Sequence, residues 1–275
     1  MPKSEQISGE THHPGDRIRC MILDVRETNN QVKIILSRTH PEFIRRLFEQ
    51  EVPEVAENII EIKALAREAG YRTKIAVEST DDKVDPVGAC VGIRGSRIRN
   101  IVDELGGEKI DIVKWSDSSQ ALIANALMPA KVSEIAICFE LGKATVVVTE
   151  DQLSLAIGKH GQNVRLAARL TGWDIDILTP EEYNREVERL ATTLKDIPGM
   201  DDRFVDKLLA LGIISALDLE DVGTEPLIAE LGIDKERAGQ IIQAAAQAAK
   251  QAAADGKATQ AESLIKEQQK KRSRK

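Results

Sequence analysis

Two short runs carry residue types suited to holding a phosphate backbone: Val91-Gly92-Ile93-Arg94-Gly95-Ser96-Arg97-Ile98 and Ile157-Gly158-Lys159-His160-Gly161-Gln162-Asn163-Val164. In each, two glycines bracket two residues, and an aliphatic residue follows the second glycine by three positions. Glycine lets the backbone turn sharply and approach a ligand closely, and the N-terminus of a following helix offers unpaired N–H groups to anionic oxygens. Arg94, Arg97 and Arg99 surround the first run with no acidic residue between 86 and 102. Lys159, Arg165 and Arg169 surround the second, with none between 152 and 173. Cations so placed release counterions from a nucleic acid, so that affinity falls with salt. One such glycine pair reads as an ordinary turn between helices, since glycine is the usual helix terminator. Two pairs in one aliphatic frame, 66 residues apart, argue against coincidence.

Other chemistry finds little support. His160 lies inside the second run and reads as a phosphate contact, while His12 and His13 read as a solvated loop with no third ligand for a metal. There is no nucleophile elbow, no GxxxxGK[ST] phosphate loop and no HExxH, so neither enzymatic chemistry nor a cofactor is expected. Cys20, Cys90 and Cys138 are odd in number and not in a CxxC arrangement, which argues against a disulfide framework and a zinc site and fits a reducing cytosol. Aromatic residues are 3% of the chain, so base stacking on rings cannot dominate. Trp115 and Trp173 stand at or beside the last strand of each repeat and read as core packing, with base stacking the alternative.

The elements that must position the two runs also occur twice. The first set is a helix over 41–50, strands over 59–66 and 73–78, a short helix ending at Val91, the glycine loop, a helix over 96–105 and a strand over 110–115. The second is a helix over 119–127, strands over 132–140 and 145–149, a helix ending at Ile157, the loop, a helix over 162–170 and a strand over 173–178. Before them, alternating runs at 17–23 and 32–36 around Thr28-Asn29-Asn30 predict a β-hairpin, which must pack on its neighbours because two strands alone are marginal in water. After them come a helical connector over 181–194, short helices around Ile197-Pro198-Gly199, Leu211-Gly212-Ile213 and Leu231-Gly232-Ile233, and an Ala- and Gln-rich helix over 237–254.

The net charge of −7 hides opposite ends: residues 196–236 sum to −8 and residues 266–275 to +5. The final basic stretch has too few apolar residues to fold and is expected to be disordered. No stretch approaches the roughly 18 apolar residues of a membrane span, so a soluble, cytoplasmic protein without a membrane partner is expected.

The doubled pattern resembles the KH domain, whose glycine loop clamps about four nucleotides of single strand. The runs Leu36-Ser37-Arg38-Thr39-His40-Pro41-Glu42-Phe43, 66–77, 85–92 and Ala156-Ile157-Gly158-Lys159-His160-Gly161-Gln162-Asn163-Val164-Arg165-Leu166-Ala167 resemble the NusA family of bacterial transcription factors, over about residues 2–250. The resemblance implies an α+β chain: a partial S1 (OB-fold) segment at 1–40, tandem type II KH domains at 41–116 and 117–180, a helix-hairpin-helix-like domain with its connector at 181–254, and a basic tail at 255–275. It further implies that the barrel's first strands and the family's N-terminal polymerase-binding domain are missing, which would leave the hairpin short of partners.

The implied function is binding of single-stranded nascent RNA in transcription elongation, termination and antitermination, with RNA polymerase and transcription factors as partners and a monomer as the expected state. The implied RNA site is Gly92, Ile93, Arg94, Gly95, Ser96, Arg97 and Arg99 with Gly158, Lys159, His160, Gly161, Gln162, Asn163 and Arg165. In the helix-hairpin-helix-like segment Asp201 stands where a second glycine is usual, and the charge of −8 would repel phosphate, so protein docking is expected there. Two alternatives stand beside this reading: the RNA-binding portion of an exoribonuclease such as polynucleotide phosphorylase, and a KH assembly module that does not bind RNA. Against the first, that family joins one KH domain to a following S1 domain, the reverse of the order seen in this chain.

Overall fold

The computed structural model describes residues 1–28, 31–195, 197, 200 and 202–251. Strands β1 (Met21–Thr28) and β2 (Gln31–Ser37) form an antiparallel hairpin with a bulge between Ile22 and Asp24. The Asn29-Asn30 turn lies outside the described residues. The first strand begins at Met21 rather than Arg17, because its pairing ends at Met21 with Ser37 and the next backbone N–H, of Arg38, donates instead to Glu5 O at 2.9 Å. Residues 17–20 therefore lie outside the ladder.

The hairpin divides by environment. At its base Ile7 is buried and Met21 packs against the same apolar cluster. Farther out Val25 and Ile34, which face one another across the ladder, are both exposed, as are Ile22 and Val32.

The first repeat comprises α1 (Pro41–Glu51), α2 (Pro53–Ala56), β3 (Ile60–Glu68), β4 (Arg72–Ser79), α3 (Pro86–Val91), α4 (Ser96–Glu104) and β5 (Lys109–Lys114). Proline at the first position and a side-chain cap, from His40 to Glu42 N and from Asp85 to Val87 N and Gly88 N, start α1 and α3. The sheet order is β3-β4-β5, with β4 antiparallel to β3 and parallel to β5. The central strand β4 buries Thr73 to Val77 without interruption. Phe43, Ile44, Leu47 and Phe48, spaced along one face of α1, close the core with Ile60, Ile75, Ile101 and Leu105.

Apart from the short α2, the second repeat has the same order: α5 (Ser119–Leu127), β6 (Glu134–Cys138), β7 (Lys143–Val147), α6 (Glu150–Ile157), α7 (Gln162–Thr171) and β8 (Asp174–Leu178), with sheet order β6-β7-β8. Helix, strand, strand, helix, helix, strand, twice over, is the α+β pattern of tandem type II KH domains. Helices α8 (Pro180–Leu194), α9 (Asp202–Ala210), α10 (Ala216–Val222), α11 (Thr224–Leu231) and a helical stretch over 235–251 complete the described chain. Pro198, Gly199 and Asp201 of the expected helix-hairpin-helix turn, and the basic tail, lie outside the described residues.

By contacts the chain divides into two compact units. The first comprises residues 1–132 with 151–175; the second comprises 133–150 with the described residues from 176 onward. Helices α5, α6 and α7 thus belong to the first unit, where α7 packs on α5 and on β3 and β4. In the second unit an apolar cluster joins Cys138 to Leu190, Leu194, Leu208, Leu219, Leu227 and Ile241. Lys143 there reaches Asp176 at 2.8 Å and Asp218 at 2.7 Å, tying β7 to β8 and to the first turn of α10. Trp115 and Trp173 are half-buried and stand outside the core. Each sits just beyond a strand end, and the Trp115 indole donates to exposed Asp117 at 3.3 Å.

Candidate nucleic-acid interface

Both glycine loops lie in the first unit and have nearly the same backbone geometry. Gly92 (φ 75°, ψ 173°) and Gly158 (φ 74°, ψ 173°) adopt a conformation essentially reserved to glycine. Arg94 and His160 follow at φ 52° and 54°, left-handed values uncommon for residues with a Cβ, and Gly95 and Gly161 at 73° and 71°. Helices α4 and α7 then begin with no side chain capping them, in contrast to α1, α3, α5 and α8, which His40, Asp85, Ser118 and Thr179 cap.

Each first glycine is required by what passes beneath it. A Cβ at Gly92 would lie 2.8 Å from Arg97 Cγ, and one at Gly158 would lie 2.7 Å from Asn163 Cβ. Arg97 and Asn163 occupy equivalent places and do equivalent work. Arg97 Nη1 donates to Ala89 O at 2.7 Å, and Asn163 Nδ2 donates to Leu155 O, the matching carbonyl of the preceding helix, at 3.2 Å. Asn163 Nδ2 also donates to Leu127 O and Ala156 O, and these three carbonyls settle which way its buried amide points. Arg97 has a second partner in Glu54 Oε2 at 2.8 Å. The Glu54 carboxyl is held below its ordinary value by its own backbone N–H and, more weakly, by Arg97, against the opposing effect of burial.

The left-handed residues are secured by a second repeated contact. Arg99 Nη2 reaches Arg94 O at 3.4 Å, and Arg165 Nη1 reaches His160 O at 3.3 Å. Around these pinned loops the side chains of Ile93, Arg94, Lys159 and His160 are exposed, Ile93 by 86%. The charged heads of Arg94 and Lys159 and the His160 ring have no hydrogen-bond or ion-pair partner among the described residues. Gln162 and Arg165 are engaged: Gln162 Nε2 donates to Glu68 Oε2 at 2.9 Å and Arg165 Nε to Glu68 Oε1 at 2.6 Å. The Arg165 hydrogen bond, with help from Gln162, holds the Glu68 carboxyl below its ordinary value although burial opposes it.

The expected residues thus fall into two groups. Ile93, Arg94, Lys159 and His160 form the accessible surface, while Arg97, Asn163, Arg99 and Arg165 hold its shape. Glu54 and Glu68 went unpredicted, since surface carboxylates at a distance of tens of residues carry no local signal. The equivalence of Arg97 and Asn163 was legible in the 66-residue offset, but unlike residue types concealed it.

The comparisons with known proteins agree with this architecture. The description "NusA-like first KH domain" matches residues 38–115, and "NusA-like second KH domain" matches residues 119–185. The chain belongs to the NusA-like KH family. A curated relative from Halalkalibacterium halodurans, named transcription termination/antitermination protein NusA, is 52% identical over 182 residues, 66% of this chain and 48% of its own length. The NusA protein of Bacillus subtilis is 50% identical over 194 residues, 68% of this chain and 52% of its own. The chain spans about half the length of the curated NusA relatives it matches. A solved structure titled crystal structure of APE1850 covers 50% of this chain and 96% of its own at 20% identity and a TM-score of 0.39, too low a likeness to add weight to the NusA-like assignment.

Proposed function

We propose that this chain is a single-stranded RNA-binding transcription factor that acts in the cytoplasm, as a monomer and without catalytic chemistry, on nascent RNA at bacterial RNA polymerase, in elongation, termination and antitermination. The observation that carries the reading is the pair of loops with matched backbone geometry, each presenting one cation, Arg94 or Lys159, that is unengaged among the described residues, beside a helix that no side chain caps. The names of the NusA relatives supply the transcriptional setting.

In this reading the backbone at Gly92, Gly95, Gly158 and Gly161 approaches the sugar-phosphate chain, Arg94, Lys159 and His160 meet phosphate oxygens, and Ser96 and Gln162 open the helices at the anion. Ile93 supplies apolar contact to an unstacked base. Two loops on one chain raise affinity, because the second engages intramolecularly once the first is held. The acidic segment 196–236 docks a basic protein partner associated with polymerase.

The test is RNA binding over a salt series for the chain and for a variant with Ile93→Asp, Arg94→Asp, Lys159→Asp and His160→Asp, with circular dichroism to confirm folding. All four sites are exposed, so the variant is expected to stay folded and to lose single-strand affinity. Equal binding by both proteins would move the activity elsewhere on the chain, and no binding by either would leave an assembly role.

A further inference from the structure

Among the described residues, Glu68 is the one acidic side chain set against the second loop helix through two hydrogen bonds. It ends β3, and strand alternation sends its neighbour Arg67 toward Glu108 while Glu68 turns to α7, which packs on β3. Its carboxylate accepts from Gln162 and Arg165, both in the first turn of α7, at the end of the helix where an anion is favoured. Arg169, farther along α7, adds to the field that keeps this carboxylate charged. At the matching position of the first loop, Arg99, the equivalent of Arg165, contacts the Arg94 carbonyl and has no carboxylate partner among the described residues; the carboxylates beside α4, Glu54 and Glu51, pair instead with Arg97, which is turned inward, and with Asn100.

From this asymmetry, and resting on the RNA-binding reading above, we infer that Glu68 is an internal competitor for RNA phosphate at the second loop. A phosphate needs the donors that Glu68 already occupies. RNA therefore meets no competing carboxylate at Arg99 of the first loop, and at the second it exchanges with Glu68 for Arg165 and Gln162. The first KH domain sets the affinity of the second through this one side chain.

The experiment compares the full chain with Glu68→Gln, Arg165→Ala and the double variant, using a single-stranded oligoribonucleotide over a salt series and thermal melts to confirm folding. Glu68→Gln keeps an acceptor for Arg165 but removes the charge. It is expected to bind RNA about two- to fivefold more tightly, the scale of a partly exposed ion pair. Its salt dependence should steepen, because no released carboxylate is left to take up a cation when RNA binds. In the Arg165→Ala background the substitution should gain much less, since only Gln162 is left to release, and Arg165→Ala alone should weaken binding.

Unchanged or weaker binding by Glu68→Gln would overturn the inference, as would a tightening that persists undiminished without Arg165. Should Glu68→Gln fail to fold, Arg165→Ala decides: undiminished affinity would overturn the inference from the other side of the pair. Failure of the unsubstituted chain to bind RNA at all would instead sink the RNA-binding reading itself.

Discussion

At Gly158 an added Cβ would press on Asn163 Cβ at 2.7 Å and on its backbone nitrogen at 2.9 Å, whereas at Gly161 it would meet nothing within 4 Å. Both glycines are left-handed, but only the first is also closed off by neighbouring backbone. Gly158→Ala is therefore expected to cost about 3 kcal/mol and Gly161→Ala about 1 kcal/mol in denaturant unfolding. Gly92→Ala should fall between them, because the atoms it meets belong to the Arg97 side chain, which can shift. Equal losses at Gly158 and Gly161 would mean that backbone conformation alone, and not the passage of Asn163, demands the first glycine. Within four residues the loop thus contains two kinds of glycine that sequence spacing cannot tell apart.

At the scale of elements, the joint between the hairpin and the first repeat depends on Arg38. Its guanidinium, 3% exposed, donates to both carboxylate oxygens of Glu10 at 2.7 and 2.9 Å, to Arg19 O at 2.6 Å, and to Glu104 Oε1 and O at 2.8 Å each, while lying 5.3 Å from the Phe43 ring centroid. A planar fork is needed to reach that many acceptors at once. Arg38→Ala would leave the Glu10 carboxylate without its bidentate partner and is expected to cost about 3–5 kcal/mol. Arg38→Lys should recover only part of this in the same denaturant measurement. A lysine variant as stable as the original would show that charge alone suffices. The exposed apolar pair Val25 and Ile34 lies farther out on the hairpin, so the joint explains how this segment is held at its base while its outer face stays open to water.

At the scale of the whole molecule, the two apolar clusters share no residue, and each contains one buried cysteine: Cys90 in the first and Cys138 in the second. Burial, with smaller opposition from Arg97, pushes the Cys90 thiol up to about 12, and burial raises Cys138 as well. Neither thiol should react with an alkylating reagent in the native protein, while half-buried Cys20 should react slowly. Labelling through a denaturant series is expected to show separate onsets for Cys90 and Cys138, reporting the two units one by one. A single shared onset would show that they open together. The raised Cys90 value also fixes a sign: as pH rises from the thiol's ordinary 9.0 to about 12 the unfolded chain ionises first, so stability falls through that window.

The doubled element order, the two loops and their cationic surroundings came from local sequence, because hydrophobic periodicity, helix caps and glycine turns are short-range properties written into neighbouring residues. Strand and helix bounds in both repeats came within a few residues for the same reason. The start of β1 did not, since it depends on Glu5, remote in sequence, taking the backbone N–H of Arg38. Nor did the division of labour inside the loops. Arg97 and Arg94 are both arginines three residues apart, and only the fold decides that one turns inward to Ala89 and Glu54 while the other stays in water. Glu68 is the clearest case: its two partners lie 94 and 97 residues away, and a contact of that span exists only because α7 packs on β3. Local sequence chose which elements form; packing of α7 on β3 chose which charges stay available to a phosphate.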